Sequence, residues 1–536
     1  MMLAMTPEKT GYLDAIGPQI GIESSAYDYV MTKGIKPARD FMLGGGHTYM
    51  FSGPFKSSLS LNLNEKATVE AVSANGHTPL IWSADVRSGR TVTCNIGIYG
   101  KVVRGFYASA FSLLGSATAY PVINSAAFYL DDFPSPVPSG DATYIKRDYG
   151  MSIADFYSKV WWPDLTKLAE RYGIRFTGVM IENYGDDTKD APVRQKDESH
   201  FSYFGGLLLK QNGEIGYHGY NHQPLVLPNT DYGDEYAYHQ WPNRKAVVAS
   251  LRELIAFQKS VLPAATASVY VPPSNILSKE GRQTIGRDVP EIRTIASTYL
   301  PSDSKLPYVQ EFGVADDGIV EAPRIVSGGM VGDYMRLAAE SELNMHFVST
   351  HFMHPDDMLD PDRGAKEGWA VYRKGLENYL DWLEASAPSI RMQTGTECAS
   401  AVQRFSGLTV KMRESANEWE FDLGNFKDQA WLLLRANHGT PGRIQGGSMI
   451  RMTGNLYLIK PRTPQCTSNA RLEARHESLP GIGRLLPVRA WRRVHMDAQL
   501  HHRHEGTRVR AVGDRRESQG PWQIRVRPSI QRGGSA

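Results

Sequence analysis

The spacing of apolar residues along this chain changes twice, and the changes divide it into stretches with different expected folds. Up to about residue 120, short β-prone runs at 68–72, 80–82 and 91–96 are separated by Asn75-Gly76 and Ser88-Gly89, dipeptides suited to tight turns. A helical spacing follows at 103–114. From 121 to 405 the pattern alternates between short apolar runs and longer amphipathic ones. The runs at 126–130, 176–181, 214–217, 267–271, 345–350 and 390–393 read as strands, and those at 153–171, 201–210, 244–261, 334–343 and 367–385 as helices. In the first of these helices Phe156, Val160, Trp161, Leu165 and Leu168 form one stripe, and Asn212-Gly213 ends the second. Strands alternating with helices predict an α/β fold with parallel strands, of a length that suits a distorted or partial (β/α) barrel. Side chains at the C-terminal ends of such strands build the active site. After about 408 the chain turns strand-rich again, at 408–412, 418–423 and 430–435. The expected organisation is an N-terminal α/β accessory domain at 1–120, a barrel at 121–405 and a small β-rich domain at 406–462, followed by a tail at 463–536.

Composition changes this picture only at the ends. The chain has 536 residues, 41% hydrophobic and 22% charged with a net charge of +2, which is ordinary for a globular protein of two or three domains. From Arg462 onward every cation is Arg or His and no Lys occurs. A basic tail could bind polyanions. This one also loses its apolar periodicity and changes residue usage abruptly, so it reads as disordered or out of frame, and no nucleic-acid partner is expected. Cys94, Cys398 and Cys466 are far apart and form neither a disulfide framework nor a thiolate metal site. No run of about 18 apolar residues predicts a membrane span. Residues 1–9 lack the charged-then-apolar pattern of a secretion signal, and the abrupt start is compatible with a lost upstream segment.

Three short segments carry candidate chemistry. Phe128-Tyr129-Leu130-Asp131-Asp132-Phe133-Pro134 ends an apolar run in two adjacent carboxylates. Burying both is costly without a compensating positive charge, which a divalent metal supplies. Taken alone the pair also fits a surface turn before proline. Glu214-Ile215-Gly216-Tyr217-His218-Gly219-Tyr220-Asn221-His222 places two imidazoles four residues apart, the first at a strand end. Such a pair can meet one ion with a carboxylate and leave a position open for water, as zinc sites do. It is equally a pattern that two ordinary loop histidines would give. His346-Phe347-Val348-Ser349-Thr350-His351-Phe352-Met353-His354 puts His351 at a strand end and His354 just past it, and either could serve as a general acid near neutral pH.

Together these segments resemble the polysaccharide deacetylase (NodB-homology) superfamily over about residues 121–405. Its first motif ends in two Asp, matched by Asp131-Asp132. Its second is a His-(Ser/Thr)-x-x-His loop, in which Gly219 here replaces the hydroxyl residue between His218 and His222. Its late strand with a His acid is matched by His351, with His354 as the rival. The stretch from Thr350 to Asp357 resembles a divergent branch that includes large exopolysaccharide deacetylases acting on galactosaminoglycan-type polymers. The third motif departs from the pattern. Where the superfamily has Arg-x-Pro-(Phe/Tyr), this chain has Val271-Pro272-Pro273-Ser274, so the Arg that orients the catalytic Asp is missing. In the first stretch, Pro79-Leu80-Ile81-Trp82 followed by Gly89-Arg90-Thr91-Val92 resembles the last strands of a glutamine-amidotransferase-like α/β domain, without a nucleophile elbow or triad.

The resemblance implies a metal-dependent hydrolase that removes N-acetyl groups from an amino-sugar polymer outside the cytoplasm or in the periplasm. Asp132, His218 and His222 would hold a divalent cation, with zinc favoured. Asp131 would be the base, His351 or His354 the acid, and a backbone N–H near Pro273-Ser274 an oxyanion donor. Glu182, Asn183, Tyr220, Pro273 and Ser274 are the expected substrate contacts; Tyr184, Tyr220, Tyr236 and Trp241 could stack on sugar rings or equally pack within their loops. A carbohydrate-binding protein with a decayed site, or a small-amide hydrolase on the same fold, would share much of this pattern.

Overall fold

The computed structural model describes residues 2–4, 11–87, 89–97, 100–228, 237–301, 307–415 and 418–471. The tail beyond 471 and Tyr236 lie outside them.

The strand–helix alternation forms a mixed α/β structure whose central sheet curls into a distorted barrel. Its strands are β1 (Ser125–Asp131), β2 (Phe176–Met180), β3 (Glu214–Tyr217), β4 (Val269–Tyr270), β5 (Thr294–Ile295), β6 (Val320–Glu321), β7 (Val326–Ser327) and β8 (Val348–Met353). The pairs β1–β2, β2–β3, β3–β4, β4–β5, β5–β6, β7–β8 and β8–β1 are all parallel. The circuit closes through residues 320–328, which leave β5 for β8 along one extended run. Arg324 N donates to Ser297 O (2.7 Å) on the β5 side, and Ile325 N donates to Thr350 O (3.0 Å) on the β8 side.

Strand alternation then sorts side chains between two environments. Ala127, Tyr129, Val179, Val269, Val271 and Ala296 form one buried cluster with Cys398, and Phe352 packs against it. Phe128, Leu130, Met180, Tyr217, Tyr270 and Met353, one residue out of phase, belong to the larger core under the helices. The helices form where the periodicity predicts. Arg244–Val261 is capped by Asn243, whose side chain accepts from Ala246 N, and it buries Val247, Leu251, Leu254 and Phe257. The expected helix at 153–171 contains a π-helical stretch, Tyr157–Trp161, before Trp162–Tyr172.

The N-terminal region is a six-stranded sheet in which every neighbouring pair is antiparallel except Met2–Ala4 with Gly89–Cys94. The segments likened above to amidotransferase strands form a hairpin, Pro79–Val86 with Gly89–Cys94. Part of its contact with the barrel runs through the helix Asp333–Met345, buried throughout Leu337–Met345, and part through Lys101 and Arg104, which pair with Glu311. Leu43 N donates to Asn344 Oδ1, and Gly105 N donates to Ser341 Oγ, each at 2.8 Å.

The strand-rich end forms two four-stranded sheets around one core that includes Val410, Trp419, Phe421, Leu432, Leu434 and Ile459. Two strand pairings cross the expected limits of this region. Ala117–Pro121, before the barrel, pairs with Leu432–Ala436. Gln465–Arg471 pairs with Glu418–Gly424 and buries Cys466, so regular structure runs past 463 because that edge supplies a ladder partner. Among the described residues no helix is long and apolar enough to cross a membrane.

Candidate metal centre

Two strand ends bring the candidate ligands together. Asp132 follows β1 with φ 54°, a left-handed conformation that Asp tolerates, and the turn it makes directs its carboxylate across to β3. His218 follows β3 at an inward-facing position, and its backbone N–H donates to Met180 O (2.8 Å). Gly219 has φ 104°, a conformation that side-chain-bearing residues rarely adopt, so the hydroxyl residue of the superfamily pattern would be strained here. That turn brings His222 back beside His218, with ring centroids 5.0 Å apart. The Nε2 atoms of His218 and His222 lie 3.6 and 3.7 Å from Asp132 Oδ1.

These separations fit a metal. Tetrahedral zinc with bonds near 2.1 Å holds neighbouring ligand atoms roughly 3.4 Å apart. Asp132 Oδ1 is buried without a hydrogen-bond partner, which is costly unless a cation faces it. Burial pushes the His218 imidazole down to about 4, so it is neutral at physiological pH. Its Nδ1 lies 2.9 Å from Val271 O, a contact that requires the proton on Nδ1 and leaves the Nε2 lone pair toward Asp132. Val271, which stands where the superfamily has its Arg, thus supplies the carbonyl that fixes the tautomer of His218.

Asp131 has a cationic partner after all. Arg324 Nη1 lies 2.6 and 2.5 Å from the two Asp131 oxygens, and both side chains are 1% exposed. Arg324 Nη2 donates to Asn275 Oδ1 (2.6 Å), and the guanidinium carbon sits 3.9 Å from the Phe352 ring centroid. Burial raises the Asp131 carboxyl, but Arg324, His218 and His354 outweigh it and hold it below the usual carboxylate range. Arg324 is not legible as a site residue in the sequence, because it lies in no motif and nearly 200 residues from Asp131. Its local signal is an arginine directly before the apolar pair Ile325-Val326, a charge that burial would oblige to find a partner.

Strand phase separates the two rival histidines. His351 pairs with Phe128 in register and shares its outward face. Its Nε2 lies 2.8 Å from Gly328 O, its ring stacks on Tyr379, and burial pushes it down to about 4. His354, three residues on, takes the inward phase of Phe352. Its Nε2 lies 3.5 Å from Asp131 Oδ2, and its Nδ1 lies 3.5 Å from Asp357 Oδ1. Burial opposes its protonation, but Asp357 and Asp131 prevail and raise it to about 9. Asp357 is in turn bonded by the Tyr372 hydroxyl and by His354 N (3.1 Å), with Arg363 Nη1 at 3.2 Å.

The expected substrate contacts divide in the same way. Pro273 packs over Gly219, and Ser274 Oγ lies 2.6 Å from the hydroxyl of Tyr238, whose ring is 6.0 Å from that of His222. Glu182 takes the outward phase of Met180. Its carboxyl accepts from Gln195 N, and burial pushes it up to about 7. The structure therefore does not bring Glu182 to the cluster. Asn183 Oδ1 accepts from Gly185 N, and the Tyr220 hydroxyl is tied to Val193, so both side chains brace their own loops. Trp241 is buried, whereas the Tyr184 residue is 45% exposed; desolvation of its hydroxyl, with smaller contributions from Asp132 and Asp356, raises its pKa.

A family model described as "Uncharacterised protein conserved in bacteria (DUF2194)" matches residues 47–458. No curated protein matches the chain in sequence. Similar solved structures include a candidate polysaccharide deacetylase from Mycobacterium smegmatis, 16% identical over 53% of this chain and 91% of that one, with a TM-score of 0.32. They also include a mutant of a CE4-family pseudoenzyme with restored enzymatic activity, 10% identical over 52% and 69% of the two chains, with a TM-score of 0.28. A debranching enzyme from Nostoc punctiforme is 11% identical over 65% and 99%, with a TM-score of 0.27.

Proposed function

The chain belongs to the DUF2194 family, and we propose that it is a metal-dependent hydrolase that removes N-acetyl groups from an amino-sugar polymer. The observation that carries this reading is the meeting of three differently tuned groups on one face of the barrel. They are an Asp132–His218–His222 cluster, an ionised Asp131 held by Arg324, and a protonated His354 backed by Asp357.

Asp132 Oδ1 and the two Nε2 atoms would hold the cation, which when bound supplies Lewis acidity toward the acetamide carbonyl and lowers the pKa of water at the site to about 7. Zinc fits the nitrogen-rich donor set. Asp131, kept as a carboxylate by Arg324, accepts a proton from the attacking water as its oxygen bonds to the carbonyl carbon. Ser274 offers the only backbone N–H of the Pro272-Pro273-Ser274 turn, since proline has none, and this is the candidate donor to the developing oxyanion. His354 then gives its Nε2 proton to the sugar nitrogen as the C–N bond breaks, releasing acetate and a free amine. Asp357 steadies the imidazolium beforehand. This assignment selects His354 over His351, whose Nε2 is engaged by Gly328 O on the outward side. Exposed Tyr184 is the aromatic best placed to meet a sugar ring. An N-acetylated polymer as substrate implies an extracellular or periplasmic setting.

The test is metal analysis of the purified protein together with acetate release from N-acetylglucosamine and N-acetylgalactosamine oligomers. Simple aliphatic amides serve as the contrast. One divalent ion per chain and acetate from the oligomers is the expected result. A protein that binds no divalent metal, or whose activity survives Asp132→Ala, ends this reading.

A further inference from the structure

The turn after β4 contains two consecutive residues in the left-handed region, Ser274 at φ 49° and Asn275 at φ 58°, and neither is glycine. Such a pair persists only where the surroundings over-determine it, and the side chains show what does so. Ser274 Oγ is joined to the Tyr238 hydroxyl at 2.6 Å. Asn275 Oδ1 accepts from Arg324 Nη2, also at 2.6 Å. The Asn275 backbone is fixed too, its N–H donating to Pro272 O (2.9 Å) and its carbonyl accepting from Tyr308 N (2.8 Å).

Arg324 is the other half of the arrangement. Its Nη1 is given wholly to Asp131, and its Nε is buried without a partner. A guanidinium is planar, so fixing Nη2 fixes the direction of Nη1. Phe352 holds the flat face of the guanidinium but leaves it free to rotate within its plane. Asn275 is thus the neutral anchor that sets this rotation. It also stands next to Ser274, so one side chain ties the turn on the acyl side of the cluster to the carboxylate on the other.

We infer that Asn275 is a positioning residue for the reaction proposed above: it seats Arg324, which holds Asp131 in line with the attacking water. The inference rests on the deacetylase reading for its chemistry and on the Asn275–Arg324–Asp131 chain for its geometry. The residue does not touch the reacting atoms, and its effect reaches them through Arg324. Asparagine suits the position doubly, because it tolerates positive φ and carries a neutral acceptor that leaves the positive charge of Arg324 for Asp131.

The experiment uses the full chain as purified with its metal and compares Asn275→Gly with Asn275→Asp. Glycine keeps the left-handed backbone and removes the acceptor, whereas aspartate keeps both. In Asn275→Gly, kcat for acetate release from N-acetylglucosamine oligomers should fall about 10- to 100-fold with KM within about twofold. Asn275→Asp, which restores the acceptor but adds a charge that competes with Asp131 for Arg324, should recover part of the loss. A crystal structure of Asn275→Gly should show Arg324 turned away from its two-oxygen contact with Asp131. Glycine at wild-type kcat, aspartate no better than glycine, or Arg324 unmoved in the glycine variant would each overturn the assignment. If wild-type protein releases no acetate, the deacetylase reading falls, and the position of Arg324 in the glycine crystal still decides whether Asn275 seats it.

Discussion

The two ends of β3 each present a buried polar group, and they are finished in opposite ways. At the N-terminal end Glu214 is closed off: Thr396 donates to it from both N (3.1 Å) and Oγ1 (2.6 Å), at the start of the helix Gly395–Gly407. Gly395 N donates to Thr177 Oγ1 (2.8 Å) beside it, and Tyr129 and Val269 lie within contact of Gly395. At the C-terminal end His218 faces Asp132 Oδ1, which is buried with no donor to satisfy it. Satisfied buried polar groups contribute to stability, and an unsatisfied one costs unless something binds there. The same strand therefore separates a stability-building end from a ligand-seeking end.

The strongest way to break this comparison is at Asp132 and His218. Replacing either with Ala should reduce bound divalent metal from about one per chain to none, and lower kcat/KM by about 1,000-fold or more, as read by metal analysis and acetate release. In metal-free Asp132→Ala the fold should persist, because removing an unsatisfied carboxylate relieves a cost. A clear loss of thermal stability in metal-free Asp132→Ala would place that residue with Glu214 instead.

A smaller effect is expected at the acid. His354→Ala should lower kcat about 100- to 10,000-fold, whereas His351→Ala should act mainly on stability, since its ring fills space between Phe128 and Tyr379. Steady-state kinetics beside thermal melts separates the two, and the opposite pattern would exchange their roles.

Arg324→Met tests the buried pair. It removes the closest counter-charge of buried Asp131 and should cost about 3–5 kcal/mol at neutral pH, measured by urea unfolding of the metal-free protein. Asp131→Asn combined with Arg324→Met should recover part of that loss. At the closed end, Glu214→Gln should change stability by only about 1 kcal/mol and leave metal content and kcat as they are.

The gentlest probe is pH. Asp357 and Asp131 raise the folded-state pKa of His354 to about 9, above its value of about 6.5 in an unfolded chain. Its contribution to stability is therefore fully present below about pH 6.5 and lost as pH rises through about 9. Metal-free protein should show this decline in urea titrations between pH 6 and 10, and His354→Ala should flatten it. A decline that survives the substitution belongs to another group.

Local chemistry made part of this readable from residues alone. The helix Arg244–Val261 followed from its stripe and its Asn243 cap, because a helix start depends on neighbours a few residues away. The grouping of Asp132, His218 and His222 rested on the order of strand ends, which parallel strands bring to one face. Arg324 escaped because its meaning depends on Asp131, and no local pattern records a pairing that only barrel closure creates. Glu182 was misplaced for a different reason. A single residue of phase after β2 turns its carboxyl outward to Gln195, and one residue is within the uncertainty of any strand end read from sequence. The same one-residue phase decides between His351 and His354.

The sequence by itself determined the alternation of strands and helices, the strand-rich end, and the residue types from which a metal site could be assembled. Each of these is set by side-chain chemistry and short-range spacing. The tertiary structure decided which histidine faces Asp131, which arginine neutralises it, and that Asn275 bonds to that arginine. Those choices depend on the circuit through residues 320–328, where a chain leaving β5 meets β8 and carries a buried charge to its partner.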